Sequence, residues 1–140
     1  MSGVTQIRFR VRYAETDQMG VVYHANYFVW MEMGRVELCR SIGVRYRDLE
    51  EKEGILLTVA EVNCRYLAPA RYDDEVSVTT EVKRSTSRLL EFGYVIVQVE
   101  SSRRLATGST VHIFCNRDLR PCRLPEKYWA AFGVEKVISS

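Results

Sequence analysis

Asp17 lies in a polar, glycine-containing stretch, residues 14–20, shortly before an apolar segment with helical spacing. A carboxylate placed there can activate water as a general base or attack a carbonyl carbon itself. Either route builds negative charge on the carbonyl oxygen and needs donors aimed at it. Unpaired backbone N–H groups at a helix start, with the helix dipole behind them, are such donors, and residues 24–26 would supply them. An aspartate in such a loop more often closes a turn or caps a helix, so residue type alone leaves both roles open. His24 beside a helix start is equally a structural residue by default, and Tyr13, at the end of an alternating strand, defaults to the core. Glu32 is a second carboxylate that a helix would present, and His112, within a strand pattern, reads as a packed core histidine. Ser41, Ser85 and Ser87 lack a nucleophile-elbow context.

The elements that must position these groups follow from periodicity. Ile7, Phe9, Val11 and Tyr13 alternate with three arginines, which predicts a half-buried strand. A helix is expected over residues 26–42, with Asn26 as its cap, Gly43 as its end and Arg40 in its last turn. Its opening turns are apolar nearly all round, as in a helix enclosed by other structure. Gly34 costs helix propensity and suggests close approach to a strand. Residues 45–54 read as a charged loop or short helical turn. Four strands follow, at residues 55–67, near 76–82, near 90–96 and at 105–115, the later ones joined by short connectors at 84–88 and 101–104. A short helix at residues 126–132 closes the chain. The element order describes an α+β protein, one domain over residues 1–140, with a long helix wrapped by an antiparallel sheet. A sheet of that kind commonly covers its free edge and face with a second subunit.

Composition narrows the function classes. Hydrophobic residues make up 46% and charged residues 27%, so the chain folds; a net charge of +2 is too mild for a nucleic-acid partner. Cys39, Cys64, Cys115 and Cys122 are scattered, without zinc spacing or disulfide density, and read as reduced thiols packed in the core. Residues 1–5 lead directly into the arginine-rich strand, with neither a secretory leader nor a membrane span, and the expectation is a cytoplasmic protein with no metal.

The run Tyr13-Ala14-Glu15-Thr16-Asp17-Gln18-Met19-Gly20-Val21-Val22-Tyr23-His24-Ala25-Asn26-Tyr27 resembles the signature of the 4-hydroxybenzoyl-CoA thioesterase family. It looks most like the branch of Tol–Pal-associated acyl-CoA thioesterases, similar in having Tyr, Asp and His at positions 13, 17 and 24. The resemblance extends through Gly34-Arg35, the Tyr72-Asp73-Asp74 turn and the tail at residues 120–125. It implies a hot-dog fold, a five-stranded antiparallel sheet around one long helix. It also implies hydrolysis of a short-chain or aromatic acyl-CoA, with Asp17 as nucleophile or general base, the backbone N–H of His24 as oxyanion donor, and Tyr13 and His24 as orienting side chains. Met19 stands where many relatives carry a smaller residue, which bears on substrate size.

CoA is then part of the substrate, and no separate cofactor is implied. Its phosphates need cations and its acyl group an apolar slot. Arg84, Ser87 and Arg88 in one hairpin and Arg120 and Arg123 in the tail coincide with the regions where the family meets the nucleotide. Leu57, Thr58 and Val59, beside Trp30 and Met31, are candidates for the acyl slot. The family further implies a homodimer or homotetramer with active sites shared between subunits and no membrane insertion. Two other functions use the same fold: a hydratase or dehydratase, which needs a differently placed histidine, and a non-catalytic acyl-thioester binder.

Overall fold

The structure, a computed structural model, describes residues 3–135. Strand β1, Val4–Arg10, leads through a single 3-10 turn at Tyr13–Glu15 and a looped segment into helix α1, Asn26–Ser41. Strands β2, Leu56–Tyr66, β3, Glu75–Ser85, β4, Leu89–Gln98, and β5, Arg103–Cys115, follow in turn. They form one antiparallel sheet in the order β1-β3-β4-β5-β2, so β1 and β2 are its edges. The charged stretch before β2 folds as short helical turns at Tyr46–Asp48 and Leu49–Glu53, and the closing segment as turns at Glu126–Tyr128 and Trp129–Phe132. Among the described residues no helix is long and apolar enough to cross a membrane.

Helix α1 lies against the middle of the sheet. Trp30, Met31, Leu38 and Cys39 are fully buried under it, against Val76 and Val78 of β3 and Phe92 and Ile96 of β4. The result is the hot-dog arrangement of one long helix on a five-stranded antiparallel sheet. Gly34 explains the close contact. A Cβ there would collide with the Thr80 hydroxyl and sit 3.2 Å from Val78 Cγ1. The helix has surrendered propensity to reach the sheet, because bringing the backbones together buries more apolar surface than alanine would return.

Cover by the helix is uneven, and register shows where it stops. Phe92, Thr110 and Val62 are paired neighbours across β4, β5 and β2 and share one face. Phe92 is 0% exposed and Thr110 1%, but Val62 is 45%. On the next rung Leu90 and His112 are fully buried and Val59 is 53% exposed. Val59 and Val62 are three apart yet face the same way, because a bulge between Val59 and Glu61 inserts an extra residue. The inner face of β2 is therefore left open by the helix.

Two local expectations are corrected. Strand β1 ends at Arg10, so the alternation does not carry to Tyr13, which stands 77% exposed in the 3-10 turn with its ring edge-on to Tyr72. The residue at the cap position of α1 is Ala25, and Asn26 occupies the first helical position, where its side chain donates to the carbonyl of Glu15 instead. Gly43, at φ +85°, follows the last turn as expected. Filling the Gly34 contact should be costly: Gly34→Val is expected to lower unfolding free energy by about 2–3 kcal/mol, overpacking outweighing any helix gain, as read by urea denaturation at unchanged slope.

Candidate active site

The segment between β1 and α1 is organised by one carboxylate. Glu15 is 5% exposed, and its carboxylate accepts hydrogen bonds from the Trp30 indole Nε1 at 2.8 Å and the Arg12 backbone N–H at 2.8 Å. The Arg12 guanidinium approaches it at 3.5 Å. Its main-chain carbonyl accepts from the Tyr23 N–H at 2.8 Å and the Asn26 side chain at 2.9 Å. Burial alone would raise its pKa. The hydrogen bonds from the Arg12 amide, the Trp30 indole and the Arg12 guanidinium outweigh that and hold it below the ordinary carboxylate value. One residue thus ties both ends of the loop to the helix.

Between those ties the chain folds back on itself. Asp17 N–H donates to the Val21 carbonyl at 2.9 Å, and Gly20 N–H to the Asp17 carbonyl at 2.9 Å. Gly20 turns the loop at φ +80°, a conformation that disfavours a side chain. Val22 N–H donates to Ala70 at 2.8 Å, which fastens the loop beside the segment that enters β3. The Asp17 carboxylate is fixed through Oδ1 alone, which accepts the Met19 N–H at 2.9 Å. This is a turn-closing bond, and it leaves Oδ2 for other work.

Asp17 and His24 line one cavity of about 320 Å³ with Met19, Val22, Tyr27 and Tyr66. Leu67, Ala68 and Pro69 complete it where the chain leaves β2. Tyr66 donates its hydroxyl to the His24 carbonyl at 2.8 Å. Its pKa is pushed up to about 12, first by burial and then by neighbouring Cys64, so it stays a donor. The peptide plane at residue 24 is thereby held from its oxygen side. Among the described residues, neither the His24 nor the Ala25 backbone N–H donates to an acceptor. The first closed turns of the helix run from Tyr27 N–H to His24 and from Phe28 N–H to Ala25. Two unpaired amides thus open the helix next to a carboxylate.

The structure brings together Asp17 and His24 among the residues singled out by sequence. Tyr13 does not line their cavity. Leu57, Thr58 and Val59 lie at the opposite end of β2 from it, and Trp30 and Met31 are wholly core. The wall near Asp17 comes instead from Tyr66 and the residues after it, because β2 runs away from the helix start and returns its last residue to it. Glu15, Tyr27 and Tyr66 escaped the sequence reading. Glu15 carried a signal in being an acid inside the motif, followed by an apolar helix, but nothing in spacing reveals that Trp30 donates to it.

The phosphate-binding candidates lie elsewhere. Ser87 and Arg123 share a cavity of about 690 Å³ with Thr86 and Trp129, and Arg84 lines an adjoining one of about 660 Å³ with Lys83 and Ser85. Arg84 also approaches Glu91 at 3.4 Å. Arg88 and Arg120 are exposed and line neither cavity. All five belong to the end of the sheet where β3 finishes and β4 starts. The Asp17 loop is fastened at the start of β3, through Ala70 and through Val11 to Asp74. The 11 residues of β3 separate them by about 30 Å.

Comparison with known proteins agrees with this architecture. The thioesterase superfamily model matches residues 19–103. The Bacillus subtilis protein YneP is 44% identical over 93 residues, covering 66% of this chain and 67% of its own. The acyl-CoA thioester hydrolase YbgC of Escherichia coli is 34% identical over 125 residues, covering 88% and 91%. The crystal structure of DHNA-CoA thioesterase from Staphylococcus aureus superimposes with a TM-score of 0.88 at 33% identity, covering 93% of this chain and 89% of that one.

Glu15 stabilises the folded state while charged, since its folded pKa is lowered. That contribution is complete above its ordinary value of 4.5 and is lost as pH falls through the folded one. Glu15→Gln is therefore expected to lower the melting temperature by about 5 °C at pH 7, from roughly 2 kcal/mol of charge-assisted hydrogen bonding. The gap to wild type should narrow below pH 4.5, as followed by thermal scans across pH.

Proposed function

The chain belongs to the thioesterase superfamily and is an acyl-CoA thioesterase, and on that premise we propose that it hydrolyses a short-chain or aromatic acyl-CoA with Asp17 as its general base or nucleophile. The observation that carries this reading is that Asp17, with its singly tethered carboxylate, and His24, with its unpaired backbone amide, line one cavity. A thioester carbonyl seated there accepts the His24 N–H, and the charge that grows on its oxygen is met by that donor and the helix dipole. Asp17 either takes a proton from an attacking water or adds to the carbon itself. Collapse of the tetrahedral adduct breaks the C–S bond, and CoA leaves as a thiolate that is then protonated. In the nucleophilic route water cleaves the resulting anhydride; both routes end in the free acid.

The lining favours a small acyl group. Met19, Val22, Tyr27 and Leu67 make a largely apolar wall, and about 320 Å³ is at the low end for organic ligands. A hydratase role has less support, because His112 is fully buried against Phe92 with its Nε2 on Thr110, away from the cavity. The nucleotide falls to Arg84, Ser87, Arg88, Arg120 and Arg123. The opposite placement of that basic end and Asp17 within one chain supports assembly into dimers or tetramers, in which a second copy brings its basic end to this site. Membership of the Tol–Pal-associated branch and a cytoplasmic location remain part of this reading.

Asp17→Asn is expected to lower kcat about a thousandfold against acetyl- and benzoyl-CoA, the usual worth of positioned proton transfer, with an unchanged melting temperature. A folded variant retaining most of its rate in a free-thiol assay rules the role out. Arg123→Ala should raise KM for the CoA ester roughly tenfold through loss of a charge-assisted bond, yet leave turnover of the N-acetylcysteamine thioester, which has no nucleotide, untouched.

A further inference from the structure

Helix α1 opens without the support that helix starts usually have. Ala25 stands at its cap position, and no side chain caps it. Such a start ordinarily frays, because its first turn is held by little else. The helix's own bond to the His24 carbonyl, from the Tyr27 N–H, is long at 3.3 Å. A serine or aspartate oxygen at this end would steady the turn. It would also add negative charge beside the place where a thioester oxygen must sit.

The His24 carbonyl has a second and shorter donor. The Tyr66 hydroxyl reaches it at 2.8 Å from the last residue of β2. A carbonyl oxygen accepts two such bonds, so the phenol adds to the helix's own bond and does not displace it. Tyr66 is itself well fixed. It pairs with Ala106 of β5, and the next two N–H groups, of Leu67 and Ala68, both donate to the Leu105 carbonyl at 2.8 and 3.2 Å. Its ring stands edge-on to Tyr27 at 5.0 Å and to His24 at 6.3 Å. On the other side of residue 24, the Tyr23 carbonyl accepts the Asn26 N–H at 2.9 Å. That carbonyl belongs to the peptide unit that carries the His24 N–H. Both peptide units of residue 24 are therefore gripped at their oxygens, one by the local turn and one by the edge strand. Neither grip uses the His24 N–H, which has no acceptor among the described residues.

We propose that Tyr66 is a positioning residue for hydrolysis. Its phenol does the work of the missing cap from the carbonyl side, and it keeps the His24 N–H aimed into the Asp17 cavity and free for the thioester oxygen. A donor already in place when charge develops costs no reorganisation, and its worth is realised mainly in the transition state. The Tyr66 bond therefore bears on kcat and not on ground-state affinity. Tyr66 lines the cavity, but its hydroxyl is spent on the main chain, so it acts through residue 24 and not on the reacting atoms. This rests on the reading of the His24 N–H as oxyanion donor and adds the residue that aims it.

Tyr66→Phe tests it. Tyr66 is 45% exposed and phenylalanine keeps its ring contacts, so the variant folds. Its kcat against acetyl- and benzoyl-CoA is expected to fall about tenfold, with KM changed by less than about twofold. Two CoA ketones separate positioning from packing. Trifluoroacetonyl-CoA takes up water or a carboxylate to become tetrahedral, and the variant should bind it about tenfold more weakly. Acetonyl-CoA stays trigonal and should bind equally to both proteins. The loss of kcat should also be equal for the CoA and p-nitrothiophenyl esters of one acid. A kcat at the wild-type level overturns the proposal. So does an equal weakening of both ketones, which makes Tyr66 a wall of the acyl cavity. A loss that vanishes with the p-nitrothiophenyl ester makes the phenol the proton donor to the departing sulfur, and it displaces the proposal likewise. Asp17→Asn, assayed alongside, keeps the two readings apart. If that variant retains its rate, the Asp17 site and the role of Tyr66 fall together. An inactive Asp17→Asn beside a fully active Tyr66→Phe removes only the role of Tyr66.

Discussion

The bond from Trp30 to Glu15 is the constraint on which the site depends. Trp30 is a core residue whose indole N–H, 0% exposed, must find an acceptor or be left unsatisfied. Glu15 is the acceptor, and it is buried to reach that donor. The need of an apolar helix for one hydrogen bond thereby pins a polar loop. The same residue's carbonyl holds Tyr23 and Asn26. The amides of residues 24 and 25 open the helix directly after that anchor, and Asp17 stands two residues beyond Glu15. The positions of the Asp17 carboxylate and of these amides follow from a packing requirement, with no separate device for each.

The sheet supplies the second half of the arrangement. Gly34 lets α1 settle onto β3, and Gly108 of β5 yields similarly, since a Cβ there would press on Met31 and on the backbone of Asn63. The helix axis is set by these close approaches at its middle. Its N-terminal end therefore points where β2 ends and β3 begins, and Tyr66 can reach the His24 carbonyl. Rigid elements meet at the residue 24 peptide from both sides, the loop through Glu15 and the edge strand through Tyr66.

Much of this was legible in the sequence. The long helix and strands β2, β4 and β5 appear within two residues of their expected places because each carries a clean period and few competing breakers, whereas β1 lies three residues earlier than its alternation suggests and β3 runs three residues further, to Ser85. Gly34 announced its own reason. What sequence could not convey is which residues close over the loop. Tyr13 reads as the end of an alternating strand, but Val11 pairs with Asp73 and Asp74 in place of continuing the ladder, and the chain turns. Asn26 has the side chain of a cap, and local bonding statistics favour that use; the tertiary offer of the Glu15 carbonyl won. Leu57, Thr58 and Val59 stand at the start of β2, whereas a strand of 11 residues presents its far end to the helix start and to the Asp17 cavity. The basic residues of the β3–β4 hairpin and tail were readable as a set, but only coordinates separate Ser87 and Arg123, which share a cavity, from Arg88 and Arg120, which do not.

The bulge in β2 also fixes something that side-chain chemistry does not. Downstream of Ala60, every residue through Tyr66 is in the phase set by that one extra peptide unit. Removing a residue there would invert the remainder of the strand, turning the Tyr66 phenol to the outer surface and freeing the carbonyl it clasps. The chain length between the open face of β2 and the Asp17 cavity thus shapes that cavity as much as any side chain lining it. Insertions and deletions in this short span would be tolerated only in twos.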